Sequence, residues 1–139
     1  RQDLRRTLDY LATRDDIAQD KIAFHGMSYG GIRAPIFLAV EPRFATAMIL
    51  SAGLPHYALP PEITLQHYLP RVTMPTLFIG GRDDFNQDYE AAQVPFFELL
   101  GVPDNQKKHV TFEGGHLPTG YSGLKREVIA WLDETLGKP

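Results

Sequence analysis

The sequence predicts an α/β fold with about four parallel strands and flanking helices, and two observations predict it. Short apolar runs, within "KIAF", "FATAMILSAG", "MPTLFIGG" and "KKHVTFEGG", have the length and character of strands buried in a sheet. Stretches with helical spacing of apolar residues separate most of them. Strands alternating with helices imply a parallel sheet covered on both faces and joined by right-handed crossovers.

The elements follow in order. Leu4, Leu8, Leu11 and Ala12 recur at helical spacing, so residues from about 2 to 14 read as an amphipathic helix, ended by the polar loop Arg14 to Asp20. Ile22, Ala23 and Phe24 read as a short strand, followed by a serine between glycines and the helical stretch "YGGIRAPIFLAV". Pro35 lacks an N–H, so a kink or a late helix start is expected there. "FATAMILSAG" and "MPTLFIGG" are the second and third strands, with Pro75 at an entry position that tolerates a missing donor. Between them, residues 54–70 hold four prolines and two histidines without periodicity, and are expected to form a loop excursion or small cap. "DYEAAQVPFFELLG" reads as one or two short helices, with Pro95 in a first turn and Gly101 as a C-terminal cap. "KKHVTFEGG" is the fourth strand. Leu124, Val128, Trp131, Leu132 and Leu136 mark a closing helix ended by Gly137.

The 139 residues suffice for one domain with one core and are too few for two full-sized ones, so residues 1–139 are read as a single domain. Apolar residues at 43% and charged residues at 22% exclude neither enzyme nor binding module, but argue against disorder. A net charge of -3 gives no electrostatic reason to bind nucleic acid or an anionic bilayer, and no run approaches a membrane span. The absence of cysteine fits a reducing, cytoplasmic compartment. The chain starts Arg-Gln-Asp-Leu without a methionine, from which sequence upstream is expected.

A parallel α/β sheet presents ligands at the carboxyl ends of its strands. Ser28 stands in G-x-S-x-G form, Gly26-Met27-Ser28-Tyr29-Gly30, between a strand and a helix. An abrupt strand-to-helix turn strains its middle residue, crowds its flanks and exposes the serine oxygen, and the helix N-terminus offers the Tyr29 N–H to a developing oxyanion. A serine hydroxyl needs a base within reach and a third group to orient that base. "FEGGHL" supplies His116 after the fourth strand, and "FIGGRDD" supplies Asp83 and Asp84 after the third.

On these residues the chain resembles the C-terminal half of an α/β-hydrolase, of the dienelactone-hydrolase or prolyl-oligopeptidase-like esterase group, including esterase-like domains attached to some bacterial protein kinases. "HGMSYGG", "AVEPRFATAMILSAG", "LPRVTMPTLFIGGRDDF" and "HVTFEGGH" carry the resemblance, and the chain order Ser, Asp, His agrees with it. The resemblance implies a Ser-His-Asp triad: Ser28 as nucleophile, His116 as base and Asp84 as acid, with Asp84 preferred to Asp83 by its distance from Gly81. It implies hydrolysis of a small-molecule carboxylic ester through an acyl-enzyme, with no metal and no organic cofactor. Two departures stand out. Tyr29 follows the nucleophile where relatives often carry tryptophan, and the proline that often follows the acid is absent from "DDFNQDYE".

The family sheet has eight strands, and this chain matches strands five to eight, so the N-terminal half of the sheet is expected to be absent. The "KIAFHG" strand then has an open apolar edge, a known route to association. The loop carrying the second oxyanion donor is also missing. An alternative reading follows: a truncated, weakly active or inactive fragment, dimeric or completed by a partner. Asp83 reads as a solvated turn carboxylate, and His25 as a local packing residue. His56, His67 and His109 lack metal-ligand spacing. Tyr57 and Tyr68 suit either core packing or a substrate pocket. Lys107 and Lys108 read as a solvated strand start.

Overall fold

The computed structural model describes residues 2–117 and 122–138. The apolar runs form one parallel sheet: β1 (Ala23–Met27), β2 (Thr46–Leu50), β3 (Thr76–Gly81) and β4 (Lys107–Phe112), lying side by side in that order. The helices are α1 (Gln2–Leu11), α2 (Tyr29–Leu38), α3 (Val94–Glu98) and α4 (Leu124–Leu136), and one π-helical turn, Tyr89–Gln93, runs directly into α3.

The strand period of two sorts the central strands onto two cores. Ala47, Ile49 and Phe78 face one core, with Leu38 of α2, Leu8 of α1 and Phe96 of α3. Met48, Leu50, Leu77 and Ile79 face the other, with Phe112 and Trp131 of α4. Every residue of β2 and β3 is buried, which is why these strands read as nearly continuous apolar runs. One buried polar chain links α4 to the sheet: the Trp131 indole donates to Thr46 Oγ1 at 2.8 Å, and that hydroxyl donates to the Pro75 carbonyl at 2.9 Å.

Residues 54–70 are held against the body by three short 3₁₀ turns, Pro61–Ile63, Leu65–His67 and Leu69–Arg71. Leu65 and Leu69, with Val72 just beyond, are fully buried in the first core. The Gly101 N–H donates to the Leu69 carbonyl at 3.0 Å. Proline at the first positions of two of these turns suits a helix start, where no donor is needed.

The structure corrects several local expectations. The first strand runs to Met27, past the apolar stretch, because parallel pairing of His25, Gly26 and Met27 with Met48, Ile49 and Leu50 does not depend on their hydropathy. Helix α1 ends at Leu11 and continues only as turns to Arg14. Helix α2 starts at once, at Tyr29, and Pro35 is accommodated inside it as a buried residue. Lys107 is not solvated: its side chain is 10% exposed, its ammonium lies 5.1 Å from the Phe97 ring centre, and it pairs with Asp104 at 3.3 Å. Lys108 pairs with Glu127 of α4 at 2.8 Å.

Strand β1 pairs with β2 alone, and its outer edge carries no strand among the described residues. Its residues are correspondingly less buried than those of β2, with His25 and Met27 exposed. No helix among the described residues is long and apolar enough to cross a membrane.

Candidate active site

Three strand ends converge. Ser28 follows β1 with φ 51° and ψ -118°, a positive-φ conformation that a non-glycine residue adopts only when its surroundings impose it. The surroundings are visible. The Ser28 N–H donates to the Leu50 carbonyl at 2.9 Å, anchoring the turn to β2, and the Ser28 carbonyl accepts from Ile32 at 2.8 Å, anchoring it to α2. Strand and helix approach so closely here that a Cβ on Gly26 would lie 2.7 Å from the Gly30 carbonyl oxygen. Crowding was expected at both flanks of the serine, and the structure assigns it differently: a Cβ on Gly30 would meet nothing within 4 Å, whereas one on Gly31 would press on Ala52 and the Leu50 carbonyl.

Tyr29 is the first residue of α2, so its N–H has no intrahelical acceptor and sits at the positive end of the helix dipole. The residue is 68% exposed, with the Arg33 guanidinium 5.2 Å from the ring centre.

Asp84 lies in the turn after β3, almost fully buried. Its Oδ1 accepts from the N–H groups of Asn86 at 2.9 Å and Gln87 at 3.0 Å, which leaves Oδ2 free to face the loop after β4. That loop carries His116. The two loops are stitched together by backbone bonds from Arg82 to Phe112 and from Asp83 to Gly114, both 2.9 Å. Their approach requires Gly81, because a Cβ there would overlap the carbonyls of Gly114 and Gly115.

His116 bridges the other two residues. Its Nδ1 is 2.8 Å from Asp84 Oδ2, and its Nε2 is 2.7 Å from Ser28 Oγ. An ionised carboxylate only accepts, so Nδ1 carries the proton and donates it to Asp84. Nε2 is then the acceptor for the Ser28 hydroxyl. This arrangement can withdraw a proton from Ser28 and hold it while a nucleophilic attack proceeds.

The remaining candidates are elsewhere. Asp83 is exposed, and its backbone N–H rather than its carboxylate serves the loop junction. His25 is exposed, His56 packs edge-on against Tyr57, and His67 Nδ1 contacts the Pro61 carbonyl at 3.2 Å. The Tyr68 hydroxyl donates to the Glu62 carbonyl at 2.6 Å. His109 is packed among Phe78, Phe97 and Tyr89, and burial lowers its pKa below the ordinary histidine value. Among the described residues no group of His, Asp and Glu could hold a metal ion.

One feature of the site escaped the sequence reading. Ser28 is flanked by Met27 and Tyr29, Asp84 is followed by Phe85, and His116 by Leu117; all four of these large apolar side chains are exposed. Their adjacency to the three strand-end residues is a signal that the sequence does hold. Of these four, Phe85 also lines a cavity of about 330 Å³ between the loops after β2 and β3, together with Leu54, Pro55, His56 and Ala92 among others.

No protein-family model matches this sequence, and no curated protein does. Solved structures do. A cold-adapted esterase from an Arctic intertidal metagenomic library superimposes with a TM-score of 0.77 at 19% identity, over 96% of this chain and 56% of its own. The acylaminoacyl peptidase of Pyrococcus horikoshii gives 0.75 at 15% identity, over 94% of this chain and 26% of its own. A monoacylglycerol lipase from Paleococcus ferrophilus gives 0.73 at 15% identity, over 96% of this chain and 74% of its own. The fold is therefore a partial α/β-hydrolase fold, and the chain spans just over half the length of the esterase.

Proposed function

We propose that this chain is the nucleophile-bearing part of a serine hydrolase that cleaves small carboxylic esters. The observation that carries the reading is the unbroken line from Ser28 Oγ through His116 to Asp84, with links of 2.7 Å and 2.8 Å. In the reaction, His116 Nε2 takes the Ser28 proton as Oγ attacks the ester carbonyl carbon. The oxyanion that forms is stabilised by the Tyr29 N–H. Collapse of the tetrahedral species expels the alcohol, which receives the proton from His116, and leaves an acyl group on Ser28. Water then attacks that acyl-enzyme with the same base assisting, releasing the acid and restoring the hydroxyl. Asp84 holds the imidazole in the working tautomer and stabilises the imidazolium.

The exposed Met27, Tyr29, Phe85 and Leu117 favour an apolar acyl or alcohol group over a charged one. Hydrolase names among the structural neighbours are consistent with this class. The test is ester hydrolysis by the wild type and by Ser28→Ala: turnover should be lost in the variant, and equal rates would remove Ser28 from the chemistry.

A second reading is favoured by one observation, the outer edge of β1, which pairs with no strand among the described residues. We place there either a second copy of the chain or a further strand that completes the sheet and supplies a second oxyanion donor. Solution mass measured on the sample used for the hydrolysis assay separates the cases. A well-folded monomer with full turnover argues against both.

A further inference from the structure

Gln93 sits at 0% exposure behind the turn that carries Asp84, in the π-helical stretch Tyr89–Gln93. Its backbone N–H reaches five residues back to the Asp88 carbonyl at 3.0 Å, and this wider turn accompanies an inward-facing side chain. The side chain then does something specific. Its Nε2 donates one proton to the Gly81 carbonyl and the other to the Gln87 carbonyl, each at 2.7 Å. The reverse amide orientation would set an oxygen against two carbonyl oxygens, so the chemistry of the two acceptors fixes which atom is nitrogen. Oε1 has no hydrogen-bond partner and occupies the space beside Gly80 where a Cβ would stand.

Gly81 and Gln87 are the two ends of the turn that holds Asp84. The Gln87 peptide is shared: its N–H donates to Asp84 Oδ1 at 3.0 Å, and its carbonyl accepts from Gln93. One amide thus pins both ends of the turn, and one of those ends grips the carboxylate.

We propose that Gln93 is a positioning residue for the catalytic acid: it fixes the Asp84 turn so that Oδ2 meets His116 Nδ1. The inference rests on the triad reading for its catalytic meaning, but its geometry can be tested separately. Without the two donors, the Gly81 and Gln87 carbonyls are left buried and unpaired. The turn then relaxes, and Asp84 loses its fixed direction toward His116. Displacements of about 1 Å in such supports lower rates on the order of 10²-fold.

The test compares the wild type with Gln93→Met, which keeps the length and removes the donors, and with Gln93→Glu. The first readout is the proton resonance of His116 Nδ1–H, identified by its disappearance in Asp84→Asn. It reports the His116–Asp84 bond whether or not the protein turns over an ester. The second is the rate of Ser28 labelling by a fluorophosphonate across pH. In folded Gln93→Met the resonance should shift or vanish and labelling should slow by roughly 10–100-fold, the range typical of supporting partners. In an Asp84→Asn background the same change should produce no further slowing, because the two residues act in series. An unshifted resonance in folded Gln93→Met, or an equal slowing in the Asp84→Asn background, overturns the proposal.

Should Gln93→Met not fold, Gln93→Glu decides. Its protonated acid keeps one donor and its carboxylate none, so labelling relative to wild type should fall as pH rises, and a profile parallel to wild type overturns the proposal. A resonance that responds to Gln93→Met in a protein that no fluorophosphonate labels refutes the hydrolase reading and leaves the positioning role standing.

Discussion

Asp84 and His116 meet through one carboxylate oxygen only: Oδ2 lies 2.8 Å from Nδ1, while Oδ1 is engaged by the N–H groups of its own turn. The carboxylate is therefore aimed by the backbone before any substrate arrives, and the imidazole tautomer is set with it.

That division separates two neighbouring carboxylates. Asp84→Asn should lower ester turnover on the order of 10⁴-fold, because an amide at this position favours the wrong histidine tautomer. Asp83→Asn removes an exposed group and should change turnover by no more than about twofold. Steady-state kinetics of the two variants decides which carboxylate serves His116.

The turn around Ser28 makes a stability prediction that distinguishes two glycines of one motif. Gly26→Ala drives a Cβ to 2.7 Å from the Gly30 carbonyl oxygen and should destabilise by about 1–3 kcal/mol. Gly30→Ala enters open space in a helix and should stabilise by about 0.4–1 kcal/mol. Urea unfolding midpoints at constant slope test both signs.

How much of this was legible in the sequence varied with the physics of each part. The buried strands β2 and β3 declared themselves because burial on both faces demands apolar residues throughout. The second half of β1 did not, because His25-Gly26-Met27 joins the sheet through backbone bonds that hydropathy does not encode. Ser28, Asp84 and His116 were readable as residue types at strand ends in a particular order, and the structure brings the three together. Gln93 was invisible, since a lone glutamine in "DYEAAQVPFF" has no local signature and its partners are carbonyls at Gly81 and Gln87. Lys107 was misread for the same reason: its partner ring, Phe97, lies ten residues away in sequence and across a loop in space.

His109 should make the protein acid-sensitive independently of the site. Its ring lies 4.9 Å from Phe78 and 5.1 Å from Phe97, and burial lowers its pKa, so the unfolded chain takes up this proton first. The stabilisation is fully present above the ordinary histidine value of about 6.5 and is lost as pH falls toward the lowered folded value. His109→Phe should flatten the decline in urea stability as pH falls below about 6.5; an unchanged slope places that decline on other groups.

Glu41 ties α1 to the segment before β2. It is 3% exposed, makes two 2.7 Å bonds with Arg43, and lies 3.6 Å from Arg5; Arg43 in turn reaches Asp9 of α1 at 2.6 Å. The Arg43 bonds hold the Glu41 pKa below the ordinary carboxylate value. Its contribution is therefore present above the unfolded value and is lost as pH falls through the folded one. Glu41→Gln should cost about 1.5–3 kcal/mol at neutral pH, and hydrogen exchange should show α1 opening before the sheet.

The nucleophilic role proposed for Ser28 is tested most directly by chemistry at the atom itself. A fluorophosphonate reacted with the protein should form a single covalent adduct, and peptide mass spectrometry should place it on Ser28 in the stretch "FHGMSYGG". His116→Ala should abolish the adduct while leaving the circular dichroism spectrum unchanged. An adduct on another residue, or labelling of Ser28 that persists at the wild-type rate without His116, contradicts an activated serine in this site.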